Sequence, residues 1–164
     1  NIKRILGEIA ESKESVDQFS LSSSPFSNSG LKAESKLADG RAANLKSFFR
    51  NHNSPLYDYA ELIVEVSDKH KFDYRLLAAI AMQESNLCKY IPANSNNCWG
   101  WGIYGNTVTR FSSYEEAIET VAGGIKSDYI DRGLLTASAI MSRYTPSSNG
   151  SWANSVNHFL RLLE

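Results

Sequence analysis

Apolar residues recur at helical spacing along most of this chain. After Asp73, a good N-cap, Leu77, Ile80 and Leu87 mark one stripe, and neither Gly nor Pro interrupts the turns that follow, so a helix is expected there. Glu84 falls on that stripe, four residues after Ile80 and seven after Leu77. Its carboxyl should point with them toward the core or a cleft, while Arg75 and Gln83 face water.

The other elements follow from similar signals. Ser54 as N-cap and Pro55 at the first helical position open a helix with Tyr59, Leu62, Ile63 and Val66 on one face, ending near His70. It should pack against the Glu84 helix. Gly105 and Asn106 set off Thr107, Val108 and Thr109 as one arm of a small hairpin. Ser113 with Glu116 forms a capping box, so a helix starts at Tyr114 and buries Ala117, Ile118, Val121 and Ile125. The pair Gly123 and Gly124 inside it costs about 1 kcal/mol each against Ala, which hints at a close contact or a break. Thr136 caps a short helix through Met141, Pro146 ends it, and Ser151 starts a last helix with Trp152, Val156, Phe159 and Leu163.

Toward the N-terminus the pattern thins. Ile2, Ile5, Ile9, Val16 and Phe19 stand among charged residues, a helix only if a partner surface exists, and residues 20–30 have the Ser-rich composition of a linker. Leu37, Leu45, Phe48 and Phe49 suggest one or two short helices interrupted near Gly40. The expected class is mainly α (α+β), with an N-terminal helical arm and linker over residues 1–53, then a helical domain carrying a small β-hairpin over residues 54–164.

Composition narrows the function. A chain of 164 residues with 42% hydrophobic content can bury one proper core. No apolar run reaches the roughly 20 residues that span a bilayer. A net charge of −1, with no basic patch among aromatics, argues against nucleic acid as a partner.

The chemistry-bearing stretch is DYRLLAAIAMQESNLCKYIPANSNNCWGWGIY, residues 73–104. A carboxyl on an apolar stripe has its pKa raised by desolvation, which suits a proton donor near neutral pH. The plainer reading is an ion pair with a neighbour such as Lys89. The loop beyond sets Trp99, Trp101 and Tyr104 among Gly100, Gly102 and Gly105, with Asn side chains nearby. Aromatic faces suit sugar rings, and amides suit hydroxyl and acetamido groups. Trp99 and Trp101 alternate, so one of them is a core residue on the plainer reading. Cys88 and Cys98 bracket this loop. With His52, His70 and His158 scattered, a disulfide fits better than a zinc site. Two free thiols are the alternative. No metal or cofactor is implied.

The segments AIAMQESN and NNCWGWGIYG resemble the lysozyme-like superfamily, especially bacterial lytic transglycosylases and endo-β-N-acetylglucosaminidases that cut peptidoglycan. FSSYEEAIETVAGGI and RYTPSSNGSWANSVNHF extend the likeness over residues 54–164. The resemblance implies a lysozyme-like fold, Glu84 followed by Ser85 as the catalytic acid motif, and Tyr144 as a second catalytic residue beside the Glu. It places Gly100, Trp101, Gly102, Ile103 and Tyr104 in a Gly-rich turn at the foot of a hairpin, with Ser85 and Trp99 also lining the substrate cleft. Two departures stand out. Tyr104 occupies a position where transglycosylases commonly carry Gln, and the hairpin lacks the second acid of many glucosaminidases.

These readings converge on a peptidoglycan glycosidase, expected to be a secreted or cell-envelope monomer that acts on glycan strands through Glu84. Glu115, Glu116, Asp128 and Asp131 are the candidate second acids. The rival is a noncatalytic glycan-binding module, which gives no reason to bear the cost of a buried acid. A helical interaction protein leaves the Asn and Gly content unexplained. The absence of G-x-S-x-G and HExxH disfavours a serine hydrolase and a zincin.

Overall fold

The computed structural model describes the backbone from Ser29 to Glu164 and side chains from Gly40 onward. The expected N-terminal helix and most of the Ser-rich linker lie outside the described residues. The helices in order are α1 (Ser29–Asn51), α2 (Ala60–His70), α3 (Leu76–Ser85), α4 (Tyr114–Asp128), α5 (Ala137–Tyr144) and α6 (Ser151–Leu162). Two short 3-10 helices, Pro55–Tyr59 and Ile130–Arg132, precede α2 and follow α4. The fold is mainly α, with no strand among the described residues.

Several helix boundaries have the expected causes. The Ser54 hydroxyl accepts from the Leu56 amide, Ser113 from that of Glu116 and Thr136 from that of Ala139, each satisfying a donor that a helix start leaves free. Ala117, Ile118, Val121 and Ile125 are buried on α4 as expected. The helix after Thr136 runs on to Tyr144, which places that side chain at a helix C-terminus.

Other expectations need correction. No break occurs at Gly40: α1 is continuous, because one helical Gly costs only about 1 kcal/mol and the chain on either side favours the helix. Ala42, Leu45 and Phe49 of α1 are buried in the core, and the compact unit runs from Glu34 to Glu164. The hairpin reduces to one antiparallel bridge between Tyr104 and Thr107. Both backbone hydrogen bonds close across Gly105 and Asn106, at 3.0 and 2.9 Å, but no second pair extends the ladder.

Helix α3 is the centre of the fold. Every residue from Leu76 to Ala81 is buried, and a helix apolar on all sides belongs inside a core. Leu77 and Ile80 are fully buried, and each contributes about 1.5–3 kcal/mol of transfer free energy. The amphipathic reading of this helix is accordingly wrong in its polar half. Arg75 is buried, its guanidinium bonded to both Asp73 carboxylate oxygens at 3.0 and 2.8 Å. The principal helix neighbour of α3 is α6, while α2 packs chiefly on α4. The expected contact between α2 and α3 is thus not the main one, and it is the last helix that reaches Glu84.

Candidate active site

Glu84 occupies the last turn of α3, and the chain leaves that helix through three consecutive left-handed residues, Asn86, Leu87 and Cys88, with φ of 51°, 55° and 73°. Leu87 is buried from this turn rather than from the helix, so it is not the stripe member the spacing suggested. Left-handed backbone costs about 1–2 kcal/mol for a residue with a Cβ, and the turn persists because it is tied on several sides. The Ser85 hydroxyl donates its one proton to the Cys98 carbonyl (2.8 Å), with the Ala81 carbonyl also in range at 3.1 Å, and accepts from the Cys88 amide (2.8 Å). Ser54 donates to the Leu87 carbonyl at 3.0 Å. Cys88 and Cys98 form a disulfide.

These ties bring the Trp99–Gly100 backbone against α3. The Trp99 ring is fully buried, and its indole N–H donates to the Leu77 carbonyl at 2.9 Å. It is a core residue, and its ring cannot line a cleft. Gly100 follows with φ +62°, and a Cβ there would lie 3.1 Å from Glu84 Oε2. Only glycine combines that backbone with that proximity.

Asn97 sets the loop's next turn. Its side-chain amide donates to the carbonyls of Trp101 (2.8 Å) and Thr109 (3.0 Å), and its oxygen accepts from the Trp101 amide at 2.9 Å. Gly102, with φ +60°, faces Thr109, whose hydroxyl would stand 2.4 Å from a Cβ there. Trp101 lies on Gly124 of α4, within 2.1 Å of where a Cβ would be, with its ring centroid 6.0 Å from that of Tyr144. Gly124 is thus a seat for an indole, and the helix does not break there.

A cavity of roughly 360 Å³ opens at Glu84, walled by Tyr90, Pro92, Asn97 and Ile103 on the loop side and by Tyr144 and Thr145 at the end of α5, with Gly100 beside the carboxyl. Of the residues expected at a site, Glu84, Ser85, Gly100, Ile103 and Tyr144 gather here. Trp99, Trp101 and Gly102 do not line it, nor does Tyr104, which stands 78% exposed. Ser85 touches this space but spends its hydroxyl on the backbone.

Two residues near Glu84 define its electrostatics. The Trp152 indole, from the first turn of α6, donates its N–H to Glu84 Oε1 at 2.5 Å. The Tyr144 ring stacks on Trp152, with centroids 5.3 Å apart, and its hydroxyl donates to the Trp99 carbonyl at 2.5 Å. Burial raises the Glu84 pKa, and the Trp152 hydrogen bond opposes that shift. The Tyr144 phenol is pushed well above its ordinary value, first by burial and then by the Glu84 charge. It stays neutral, a fixed dipole rather than a base. Spacing alone gave Trp152 only as a packing residue. The usable signal was chemical, since a buried indole N–H needs an acceptor.

No second carboxyl lines the cavity among the described residues. Glu116 accepts from the amide and hydroxyl of Ser112 at the start of α4. Asp131 pairs with Lys126, and Asp128 accepts from Ser127 at 3.0 Å. Glu115 is exposed in the first turn of α4. Among the described residues no cluster of three or more His, Cys, Asp or Glu could hold a metal, and no helix is long and apolar enough to cross a membrane. The chain matches no family model and no curated protein.

Proposed function

We propose that this protein is a lysozyme-like peptidoglycan glycosidase, a lytic transglycosylase or N-acetylglucosaminidase/muramidase-like enzyme, with Glu84 as its single general acid and base. The observation that carries the reading is a half-buried carboxyl on the central helix, held by an indole N–H at the edge of a cavity that no second acid lines among the described residues. A volume near 360 Å³ lies within the roughly 300–1,000 Å³ of small-ligand sites. Tyr90, exposed at the cavity wall, offers an aromatic ring to a sugar.

In the proposed reaction the protonated Glu84 gives its proton to the glycosidic oxygen as the bond to the anomeric carbon breaks. The carboxylate left behind then takes a proton from the acceptor as the new bond forms. Without a protein nucleophile, the positive anomeric centre is relieved within the sugar. Its own acetamido oxygen closes on it before water attacks, or its C6 hydroxyl adds directly and gives an anhydro end. The disulfide between Cys88 and Cys98 supports an extracytoplasmic location, where such bonds persist.

The test is mass spectrometry of fragments released from purified peptidoglycan. Anhydro and reducing ends differ by one water, so the products separate the two acceptors. Glu84→Gln should lower kcat by a factor on the order of 10² or more. A folded Glu84→Gln protein that clears peptidoglycan at the parent rate would refute the reading.

A further inference from the structure

Glu84 has two carboxyl oxygens in unlike surroundings, and the acid role proposed above does not say which one delivers the proton. Oε1 receives the Trp152 indole N–H at 2.5 Å. Oε2 faces residue 100, where a Cβ would stand only 3.1 Å away and glycine leaves the approach open. An indole N–H is a donor only, and the unprotonated oxygen of a carboxylic acid accepts better than its hydroxyl oxygen, so the bond to Oε1 favours the acid that carries its proton on Oε2.

We infer that Trp152 is a positioning residue for Glu84: its indole fixes Oε1 as the acceptor, so the transferable proton sits on Oε2 and the scissile oxygen arrives over Gly100. This rests on the acid/base reading of Glu84. Trp152 is itself held, with its ring buried and stacked on Tyr144 and its helix packed on α3. The Tyr144 hydroxyl is engaged by the Trp99 carbonyl, so it does not compete for the carboxyl. The carboxyl is therefore held in one rotation, with Oε1 committed to the indole and, among the described residues, no hydrogen bond to Oε2. A free-spinning acid would present the protonated oxygen to the substrate for only part of the time, and orientation of this kind acts on kcat rather than on ground-state binding.

The arrangement also has an electrostatic consequence. The indole N–H favours the carboxylate, against the burial that favours the acid. The other titratable groups facing the cavity are Tyr144 from α5 and Tyr90 from the loop, and among the described residues no cation or second carboxylate lines it. Removing the N–H while keeping a ring should raise the Glu84 pKa. The acid form then survives to higher pH, and the alkaline limb of the pH–rate profile moves up.

Trp152→Phe tests this. The expected result is a fall in kcat on the order of tenfold, the rate equivalent of one hydrogen bond to a charged group. KM should hold, and the alkaline limb should move to higher pH. In parallel, a carbon-13 NMR titration of the Glu84 carboxyl should show a higher midpoint in the variant. If Trp152→Phe does not fold, the wild-type protein still decides the matter: the Trp152 indole N–H resonance should titrate with the Glu84 midpoint and lose that response in Glu84→Gln. An indole resonance indifferent to pH, or a Trp152→Phe protein with the parent pH limb and carboxyl midpoint, overturns the inference. Wild-type protein that releases nothing from peptidoglycan while the indole still tracks Glu84 overturns the glycosidase reading and leaves the Trp152 coupling standing.

Discussion

Trp101 lies where a side chain at Gly124 would be: a Cβ there would come within 2.1 Å of the indole Cζ2. Gly123, one residue earlier on the same helix, has open space at its Cβ position. The two glycines should respond oppositely. Gly124→Ala forces the indole off α4 and should cost about 1–3 kcal/mol, the usual range for overpacking. Gly123→Ala removes a flexible residue without a clash and should gain up to about 1 kcal/mol. Thermal unfolding of both variants checks this, and equal midpoints would show that Trp101 is not seated on α4.

Tyr144→Phe keeps the ring on Trp152 but removes the hydroxyl that serves the Trp99 carbonyl. A buried carbonyl left without its donor costs about 1–3 kcal/mol, so urea unfolding should register that loss. Turnover should fall as well, because the same bond fixes the backbone that leads into Gly100. A variant as stable as the parent would mean that the Trp99 carbonyl finds another donor.

The parts of this architecture legible in the sequence are those with local causes. Caps at Ser54, Ser113 and Thr136 depend on a side chain and an amide two or three residues away, and each is found where expected. The cysteine pair was legible for a similar reason, since both thiols flank one short loop. What periodicity could not supply was long-range partnership. The stripe through Leu77 and Ile80 does not reveal that α3 is enclosed on every side, so it misassigned Arg75 to water and Leu87 to the helix. The indole of Trp152 meets Glu84 across 68 residues of sequence. Nor does spacing tell which Trp of WGW enters the core. That depends on whether a carbonyl of α3 or a glycine of α4 receives the ring.

The disulfide closes a loop with a sequence separation of 10, and losing it should cost about 3 kcal/mol through the unfolded chain. A second effect adds to this. Leu87 and Cys88 hold left-handed backbone, and without the tether the turn can relax toward ordinary φ. Reduction, or a Cys88→Ala/Cys98→Ala pair, should therefore lower the melting temperature and also loosen the contact between Gly100 and Glu84, which a turnover assay reads. Titration of two reactive thiols in the native protein would contradict the bond itself.

Glu84 should leave a signature in the pH dependence of stability as well as in the rate. Burial disfavours its ionised form, so the folded protein keeps the proton to a higher pH than the unfolded chain, whose value is near 4.5. Between the unfolded and folded pKa values the native state binds more protons, and stability falls as pH rises. The contribution is fully present below the unfolded value and is gone above the folded one. Glu84→Gln has no proton to lose, and its amide can still accept from Trp152. The two proteins should therefore be closest in stability in acid, with the variant gaining on the parent as pH rises through the Glu84 transition. Denaturant unfolding at a series of pH values measures that gap. A constant difference across the series would mean that the Glu84 carboxyl ionises as freely in the folded protein as in the unfolded chain, and the basis for its role as an acid would be gone.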